Sequence, residues 1–273
     1  DARNSGTTNT WAFGWDLSSA GSGQFSWAGY TGSVSIYDTT TSRITAGSWY
    51  HVAYSRSGTT GYLFVNGVLV ASGTDSTNYN VTSPIVHIGS QYSPLYYFPG
   101  YISNLRIVNG TAVYTSAFTP PTAPLTAVAN TVLLTLQSPT FIDNSSNNLT
   151  ITANTTTVKP VAISPFTGTS YTSNTITTYG SAYFNGSTDY SYISNTGGLQ
   201  LGVGDYNIEY WDLVTGSVVQ PPETKTKEAA SIEDRFLKHD VTPAELNKLK
   251  EARATKKIAN QMKKINAKQT VKK

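Results

Sequence analysis

Residues 49–73 constrain the fold of this chain more than any other stretch, and they read WYHVAYSRSGTTGYLFVNGVLVASG. Polar and apolar side chains alternate along 49–55, as they do in a strand with one buried face. The glycines within 57–61 interrupt this pattern with residues that accept positive φ. Asn66-Gly67 then separates two further β-rich runs, which is the strongest short-range signal for a type I′ hairpin. The stretch therefore predicts three consecutive antiparallel strands.

Two segments together resemble a known family. Residues 49–73 are similar to the central strands of laminin G-like, concanavalin A-type jelly rolls in the pattern W-x-H-V-A…S-R-S-G…L-x-V-N-G-x-L-x-A-S-G. Residues 88–125 resemble the back strand and closing segment of the same domain. The likeness covers 1–152 and 181–211 and is closest to repeats in marine bacteriophage virion proteins. It implies an all-β, concanavalin A-like (laminin G-like) jelly-roll sandwich in a non-catalytic structural protein, displayed as a capsid decoration or a tail or fibre component.

The strands of this sandwich occur in an unusual order along the chain. Residues 1–128 contain the later strands, whereas the two strands that normally open such a domain resemble residues 181–211. One explanation is that a tandem array was truncated at both ends. The other is that 181–211 completes the sheet of 1–128, because a sandwich without its opening strands exposes unpaired edges and an apolar face. We expect completion, and both routes, within the chain or through a neighbouring subunit, remain open.

The segments that follow differ from this body in composition and charge. Residues 129–180 combine a short buried-type strand with a Thr/Ser-rich stretch and predict a β-rich inter-domain connector. Residues 212–241 are polar and predict a linker. Residues 1–217 carry five basic and nine acidic side chains, a net charge of −4, whereas residues 218–273 carry fourteen and seven, a net charge of +7. This asymmetry marks a boundary between a weakly charged body and a basic tail.

Residues 242–273 predict a basic α-helical tail. A capping box with proline at the first helical position occupies 242–245. The apolar stripe shifts along the helix, which suits docking on a partner surface better than a coiled coil. We interpret the tail as an anchor on an acidic protein surface. Nucleic-acid contact is disfavoured by the lack of interleaved aromatics, and a flexible solubilising end is a further alternative. The expected anchoring residues are Leu246, Leu249, Ile258, Met262, Ile265, Lys256, Lys257, Lys263 and Lys264.

Catalytic constellations are scarce in the sequence. Glycoside hydrolysis requires two Asp or Glu side chains that flank the scissile bond, and Glu209 is the only glutamate before residue 223. The chain contains no cysteine. His51 and His87 lie within strand patterns, where a histidine is more often packed than catalytic. We therefore expect no enzymatic activity, and an accessory glucanase domain is the weaker alternative.

Three aspartates at turn-like positions are candidate calcium ligands. Laminin G-like domains often bind calcium through Asp, Asn and backbone carbonyl oxygens. Asp16, Asp38 and Asp75 are the candidates, although no Asp-x-Asp-x-Asp-Gly spacing organises them. The alternative interpretation is that all three are ordinary turn residues. We expect no other cofactor.

A carbohydrate site is expected in the loop before the back strand. Gln91, Tyr92, Tyr96 and Tyr97 offer an amide and aromatic stacking faces there, although the loop could instead be a subunit contact. We expect weak, multivalent contact with cell-surface glycans by a homo-oligomer that is anchored to other virion proteins, without membrane insertion. The alternative is the carbohydrate-binding module of a secreted or cell-surface bacterial adhesin. The expected location is therefore the virion surface, with the bacterial cell surface as the alternative.

Overall fold

The computed structural model describes residues 1–2, 10–16, 24–29, 34–39, 45–80, 85–91, 97–166, 169–172, 175–194 and 199–215. The chain divides into two units, residues 1–221 and 222–273, and every described residue belongs to the first. The predicted basic helix over 242–273 and all of its expected anchoring residues lie outside the described residues.

The described residues form antiparallel β-strands and no α-helix, which confirms the all-β prediction. They contain no helix long and apolar enough to cross a membrane. The strands are β1 (Trp11–Asp16), β2 (Gln24–Gly29), β3 (Val34–Tyr37), β4 (Trp49–Ser57), β5 (Thr60–Val65), β6 (Val68–Thr74), β7 (Ile85–Ile88), β8 (Pro99–Asn109), β9 (Thr131–Thr135), β10 (Thr152–Ala153), β11 (Lys159–Val161), β12 (Thr169–Thr172), β13 (Thr175–Thr178), β14 (Ser181–Asn185), β15 (Ser191–Ser194) and β16 (Tyr206–Val214).

The three strands predicted from residues 49–73 are β4, β5 and β6. Asn66 and Gly67 connect β5 to β6, with φ of 49° and 75° respectively, as a type I′ turn requires. Gly67 also lies so close to Phe118 that a Cβ atom at this position would stand 1.9 Å from the Phe118 carbonyl oxygen. A larger residue at position 67 would therefore strain the turn and displace the segment that covers it.

The larger of the two layers is an eight-stranded sheet in which the downstream strands pair with the upstream ones. Its order is β11-β14-β8-β16-β4-β5-β6, and β9 pairs additionally with β8. β16 lies between β4 and β8 and is antiparallel to both. β14 pairs with β8, and β15 pairs with β7. In this structure the strands of 181–211 therefore join the sheets within the same chain.

The second layer consists of two small sheets that pack on one face of the large one. Their orders are β1-β2-β3 and β10-β15-β7. Aromatic side chains form much of the core between the layers. The Trp27 ring stacks on Tyr54 with 4.1 Å between ring centroids, and Phe13 contacts Tyr210 edge-on at 5.4 Å. These rings bury the apolar faces that the alternating sequence patterns create.

The segment predicted as a connector contributes strands to both layers. Within 129–180, β9 pairs with β8, β10 with β15, and β11 with β14. Leu133 is fully buried, and Val158 is nearly so. Residues 129–180 therefore bury apolar side chains in the same unit as the strands that precede and follow them.

Candidate functional site

A cavity of about 690 Å³ opens where the two small sheets meet. β1 and β7 are the facing edges of these sheets. The Asp1 backbone joins them at one end, since it exchanges two hydrogen bonds with His87 while Ala2 N–H donates to the Trp11 carbonyl. Residues of the large sheet form the floor of the cavity. The volume lies within the range of about 300–1,000 Å³ that is usual for ligand pockets.

The cavity combines an apolar floor with a polar wall of small side chains. Ile102, Leu105, Ile107, Ile208 and Tyr210 form the floor. The outward-facing residues of β1, β2 and β3 form one wall, and they are Ala12, Gly14, Gln24, Ser26, Ala28, Ser35 and Tyr37. Five of these seven residues are alanine, glycine or serine, so only Gln24 and Tyr37 project far from this wall.

The predicted carbohydrate loop contributes to the opposite wall. Gln91 and Tyr97 line the cavity. Tyr97 is held in place by a β-bridge to Ser90, and Phe98 N–H donates to the Gly89 carbonyl at 2.8 Å. Tyr92 and Tyr96 lie outside the described residues. The structure thus brings two of the four predicted residues together at one cavity, and their role in binding stays a prediction.

A buried carboxyl group is hydrogen-bonded to Trp15, one of the residues that line the cavity. The Trp15 indole N–H donates to Oδ2 of Asp212 on β16, and Trp15 itself lines the cavity. Asp212 is fully buried, and its Oδ1 has no hydrogen-bond partner among the described residues. Burial therefore raises the pKa of Asp212 well above its ordinary value, and the Trp15 hydrogen bond offsets this only in part.

We expect Asp212→Asn to remove a pH dependence of stability. Because the pKa of Asp212 is higher in the folded than in the unfolded chain, folding takes up a proton. The stabilising effect of that proton is complete below the unfolded pKa near 3.9 and is lost as the pH rises through the folded pKa, by up to about 1.4 kcal/mol per pH unit. The measurement is urea unfolding of the variant and the wild type at several pH values between about 4 and 9. The difference in the free energy of unfolding should increasingly favour the variant as the pH rises.

Asp205→Asn is the control for this experiment. Asp205 is half-buried, and its Oδ1 accepts a hydrogen bond from Gly58 N–H. Its substitution shows what the loss of a half-buried carboxyl group does to stability in the same assay. A constant difference between Asp212→Asn and the wild type at every pH would contradict a raised pKa at Asp212.

The calcium candidate Asp75 lies in a cluster of hydroxyl donors. Its carboxylate accepts hydrogen bonds from Tyr54 at 2.9 Å, Tyr206 at 3.0 Å and Tyr79 at 3.1 Å, and Arg56 Nη1 lies 3.7 Å from its Oδ1. Burial and the adjacent Asp75 carboxylate raise the pKa of Tyr54, so its hydroxyl remains a donor. These contacts assign Asp75 to the interior of the sandwich as an acceptor.

The other two calcium candidates lie at the ends of other strands, Asp38 after β3 and Asp16 at the end of β1. Asp38 is buried, and its backbone N–H donates to the Phe25 carbonyl at 2.9 Å. Asp16 pairs with Gln24 through the backbone, and its side chain lies outside the described residues. Within the described part of the chain, no three acidic or histidine side chains come together as a metal-ligating group. Calcium binding therefore stays a prediction without a site in the described residues.

Glu209 and His51 meet on the opposite face of the large sheet. Glu209 accepts hydrogen bonds from Arg106 Nε at 2.9 Å, Arg106 Nη2 at 2.5 Å, Tyr114 at 2.9 Å and Asn207 at 2.9 Å, and His51 Nε2 lies 3.1 Å away. Both Glu209 and His51 are fully buried. Burial raises the pKa of Glu209. The His51 hydrogen bond and the Arg106 charge lower it by more than burial raises it, so the net pKa lies below the ordinary value. The cluster is a buried ion pair, and none of Glu209, His51 and Arg106 lines the cavity.

Two aromatic residues at the cavity rim were not singled out by the sequence. Tyr190 lies beside Tyr97 with 6.4 Å between ring centroids, and Tyr192 lies beside Tyr190 with 6.1 Å. Residues i and i+2 of a strand face the same side of a sheet, so Tyr190 and Tyr192 could have been expected on one face. Their proximity to Tyr97 depends on the pairing of β15 with β7, which is a long-range contact.

Comparison with known families identifies a related domain in the first part of the chain. Residues 2–117 match the sequence model of a laminin G-type family described as the concanavalin A-like lectin/glucanases superfamily. No curated protein and no solved structure matches the chain. The matched residues contain β1–β8 and both described residues of the predicted carbohydrate loop. The concanavalin A-like fold predicted from the sequence is therefore confirmed.

Proposed function

We propose that this chain is a non-catalytic carbohydrate-binding module that uses the cavity between β1 and β7. Concanavalin A-like domains often bind carbohydrate. The observation that carries the proposal is the position of Gln91 and Tyr97, which line an open cavity whose other wall is built from small polar and apolar side chains. A sugar ring stacks on an aromatic face and exchanges hydrogen bonds with amides and hydroxyls, and this cavity provides both groups.

The arrangement of carboxylates favours binding over hydrolysis. Hydrolysis of a glycosidic bond uses two carboxyl groups on either side of the bond. Asp1 is the only acidic residue among the described residues that line the cavity. Asp212 is buried behind Trp15, and Glu209 is engaged with Arg106 on the far face of β16. A ligand in the cavity would therefore meet no pair of carboxyl groups from these residues.

Binding is tested with the full chain on a glycan array, followed by titration calorimetry of the strongest neutral binder. Tyr97→Ala should weaken binding about five- to ten-fold, as expected for the loss of one aromatic stacking contact. Tyr62→Ala is the matched control, because Tyr62 is a half-buried strand tyrosine on β5 that does not line the cavity. Equal effects of the two substitutions, or an array without a single hit, would contradict the proposal.

The same oligosaccharides test the absence of catalysis. After prolonged incubation with the wild-type chain, chromatography should recover the oligosaccharides intact. New reducing ends would overturn the non-catalytic assignment and would direct attention to the glucanase alternative.

We further propose that the module is displayed on a virion, as a capsid decoration or as part of a tail or fibre, and that the basic segment fastens it there. The support is the sequence resemblance to phage repeats and the net charge of +7 over residues 218–273. Many copies on one particle would raise the avidity of weak sites. The alternative setting is a bacterial adhesin, in which the module is one of a string of repeats.

Copy number separates these two settings. Cryo-electron microscopy of the native assembly should show the chain at symmetry-related positions on a particle, with residues 242–273 against a neighbouring protein. A linear string of repeats on a cell surface would support the adhesin instead.

A further inference from the structure

Three tyrosines form a continuous row from the cavity rim across the neighbouring sheet. The ring centroids of Tyr97 and Tyr190 lie 6.4 Å apart with an interplanar angle of 30°, and those of Tyr190 and Tyr192 lie 6.1 Å apart with an angle of 43°. His87 lies edge-on to Tyr190 at 5.4 Å. All four side chains are half-buried, so part of each ring is accessible. We call Tyr97, Tyr190 and Tyr192 the tyrosine row.

The tyrosine row lies on the outer face of the sheet β10-β15-β7. Ile193 faces the core and is fully buried, so its neighbour Tyr192 points outward. Tyr192 pairs across the sheet with His87 on β7 and Thr152 on β10. Tyr192 is therefore part of a regular sheet, and Tyr190 directly precedes the same strand.

The start of the row is fixed by backbone and side-chain hydrogen bonds. Tyr190 N–H donates to Asn154 Oδ1 at 2.8 Å, and Asn154 N–H donates to the Tyr190 carbonyl at 3.0 Å. Asn154 Nδ2 in turn donates to the Thr188 carbonyl at 2.8 Å. This anchoring fixes the backbone of Tyr190 before any ligand binds, which lowers the entropic cost of binding.

The row and the cavity form one surface. Tyr97 and His87 line the cavity and also contact Tyr190. A ligand that fills the cavity therefore meets the row as soon as it extends past Tyr97. Two successive ring contacts, Tyr97–Tyr190 and Tyr190–Tyr192, suit a chain molecule with repeated rings better than a single compact one.

The charges around this surface indicate which class of chain-like ligand it would bind. No lysine or arginine is present among the described residues that line the cavity. Arg56 and Arg106 are buried elsewhere, and Lys159 lies on β11 in the other layer. Sulfated or carboxylated sugars would find no lysine or arginine among these residues and would meet the acidic Asp1, whereas an uncharged sugar needs only stacking faces and neutral hydrogen-bonding groups.

We infer that the tyrosine row is an additional binding site for a neutral, linear oligosaccharide whose first units occupy the cavity. This inference rests on the proposed function and deepens it by naming the class of ligand. The cavity binds the terminal sugar or an internal sugar of the oligosaccharide near Tyr97, and Tyr190 and Tyr192 stack on the sugars that follow. Affinity should therefore increase with chain length until the row is covered.

The test uses titration calorimetry of the full chain with cello-, laminari- and manno-oligosaccharides, each from the disaccharide to the hexasaccharide, and with the sulfated hexasaccharides. We expect the hexasaccharide of at least one series to bind more tightly than its disaccharide, and the sulfated form to bind more weakly. Tyr192→Ala should weaken hexasaccharide binding about five- to ten-fold and leave disaccharide binding unchanged. Tyr97→Ala should weaken both.

The controls separate the row from the cavity. Tyr62→Ala should leave every affinity unchanged, and thermal unfolding should show that each variant is folded. Equal affinity for disaccharide and hexasaccharide, together with no effect of Tyr192→Ala, would overturn the inference while the proposed function stands. Tighter binding of a sulfated form would overturn the neutral class. A failure of all three series and of the glycan array to bind would overturn the proposed function and, with it, the inference.

Discussion

Replacement of Arg56 by methionine is expected to lower the free energy of unfolding by about 3–5 kcal/mol, the range observed when one partner of a buried ion pair is removed. Arg56 is fully buried on β4. Its guanidinium donates to the carbonyls of Thr77 at 2.6 Å, Gly202 at 2.9 Å and Gly204 at 2.7 Å. Methionine fills a similar volume but offers none of these donors.

The large effect follows from what the substitution leaves behind. The Gly204 carbonyl accepts from both Nε and Nη2 of Arg56, so it loses two donors at once. Asp75 loses the cation 3.7 Å from its Oδ1, although the three tyrosine hydroxyls remain. The guanidinium also lies over the Tyr206 ring, 4.6 Å from its centroid, and this cation–π contact is lost as well.

Urea unfolding followed by tryptophan fluorescence measures this effect. Lys159→Met is the matched control, because Lys159 is an exposed cation on the edge strand β11 and its loss should change the stability by less than about 0.5 kcal/mol. Arg56→Lys should give an intermediate loss, since an ammonium keeps the charge but cannot reach the same carbonyls. A loss below about 1 kcal/mol for Arg56→Met would mean that water replaces the guanidinium.

Removal of either partner of the Arg106–Glu209 pair should have an effect of similar size. We expect Glu209→Leu and Arg106→Met each to cost about 3–5 kcal/mol, because each leaves a buried charge without its partner. The double variant should lose much less than the sum, since two apolar side chains can replace a buried ion pair at little cost. A double-mutant cycle from urea unfolding gives the coupling free energy. Additive losses would contradict a direct interaction.

Glu209→Gln tests the same cluster through pH. Because the pKa of Glu209 is lower in the folded than in the unfolded chain, the stabilising effect of the carboxylate is present above the unfolded pKa of about 4.3 and is lost as the pH falls through the folded value. The glutamine variant should therefore be less stable at neutral pH and should lack this loss in acid. If the free energy of unfolding of the variant falls in acid as much as that of the wild type, the acid sensitivity belongs to other groups.

Local sequence signals predicted the parts of the fold that depend on neighbouring residues. Asn66-Gly67 predicted the turn between β5 and β6, because a type I′ turn is specified by two adjacent residues. The runs around Trp11 and Phe25 predicted β1 and β2 in the same way. Gln91 and Tyr97 were identified as binding candidates because they occupy one loop, and the structure places both at the cavity.

Long-range contacts could not be read from the chain in the same way. The partners of Asp75 include Tyr206, which is 131 residues away, and Glu209 meets His51 across 158 residues. Tyr190 and Tyr192 reach Tyr97 only because β15 pairs with β7. Nothing in the local pattern around Asp75 or Tyr192 specifies these partners, so the sequence offers Asp75 only as a candidate calcium ligand or turn residue and does not single out Tyr190 and Tyr192.

The position of β16 between β4 and β8 also determines when this domain can fold during synthesis. The ribosome delivers β8, which ends at Asn109, long before β16, which ends at Val214. At about 5–20 residues per second this interval lasts roughly 5–20 s. During this interval β4 and β8 have been made but β16, which pairs with both, has not. Their unpaired edges are therefore open to other chains. On a polysome, adjacent nascent copies could exchange this strand, so fast elongation, or a chaperone that shields the open edges, would favour the pairing of β16 within its own chain.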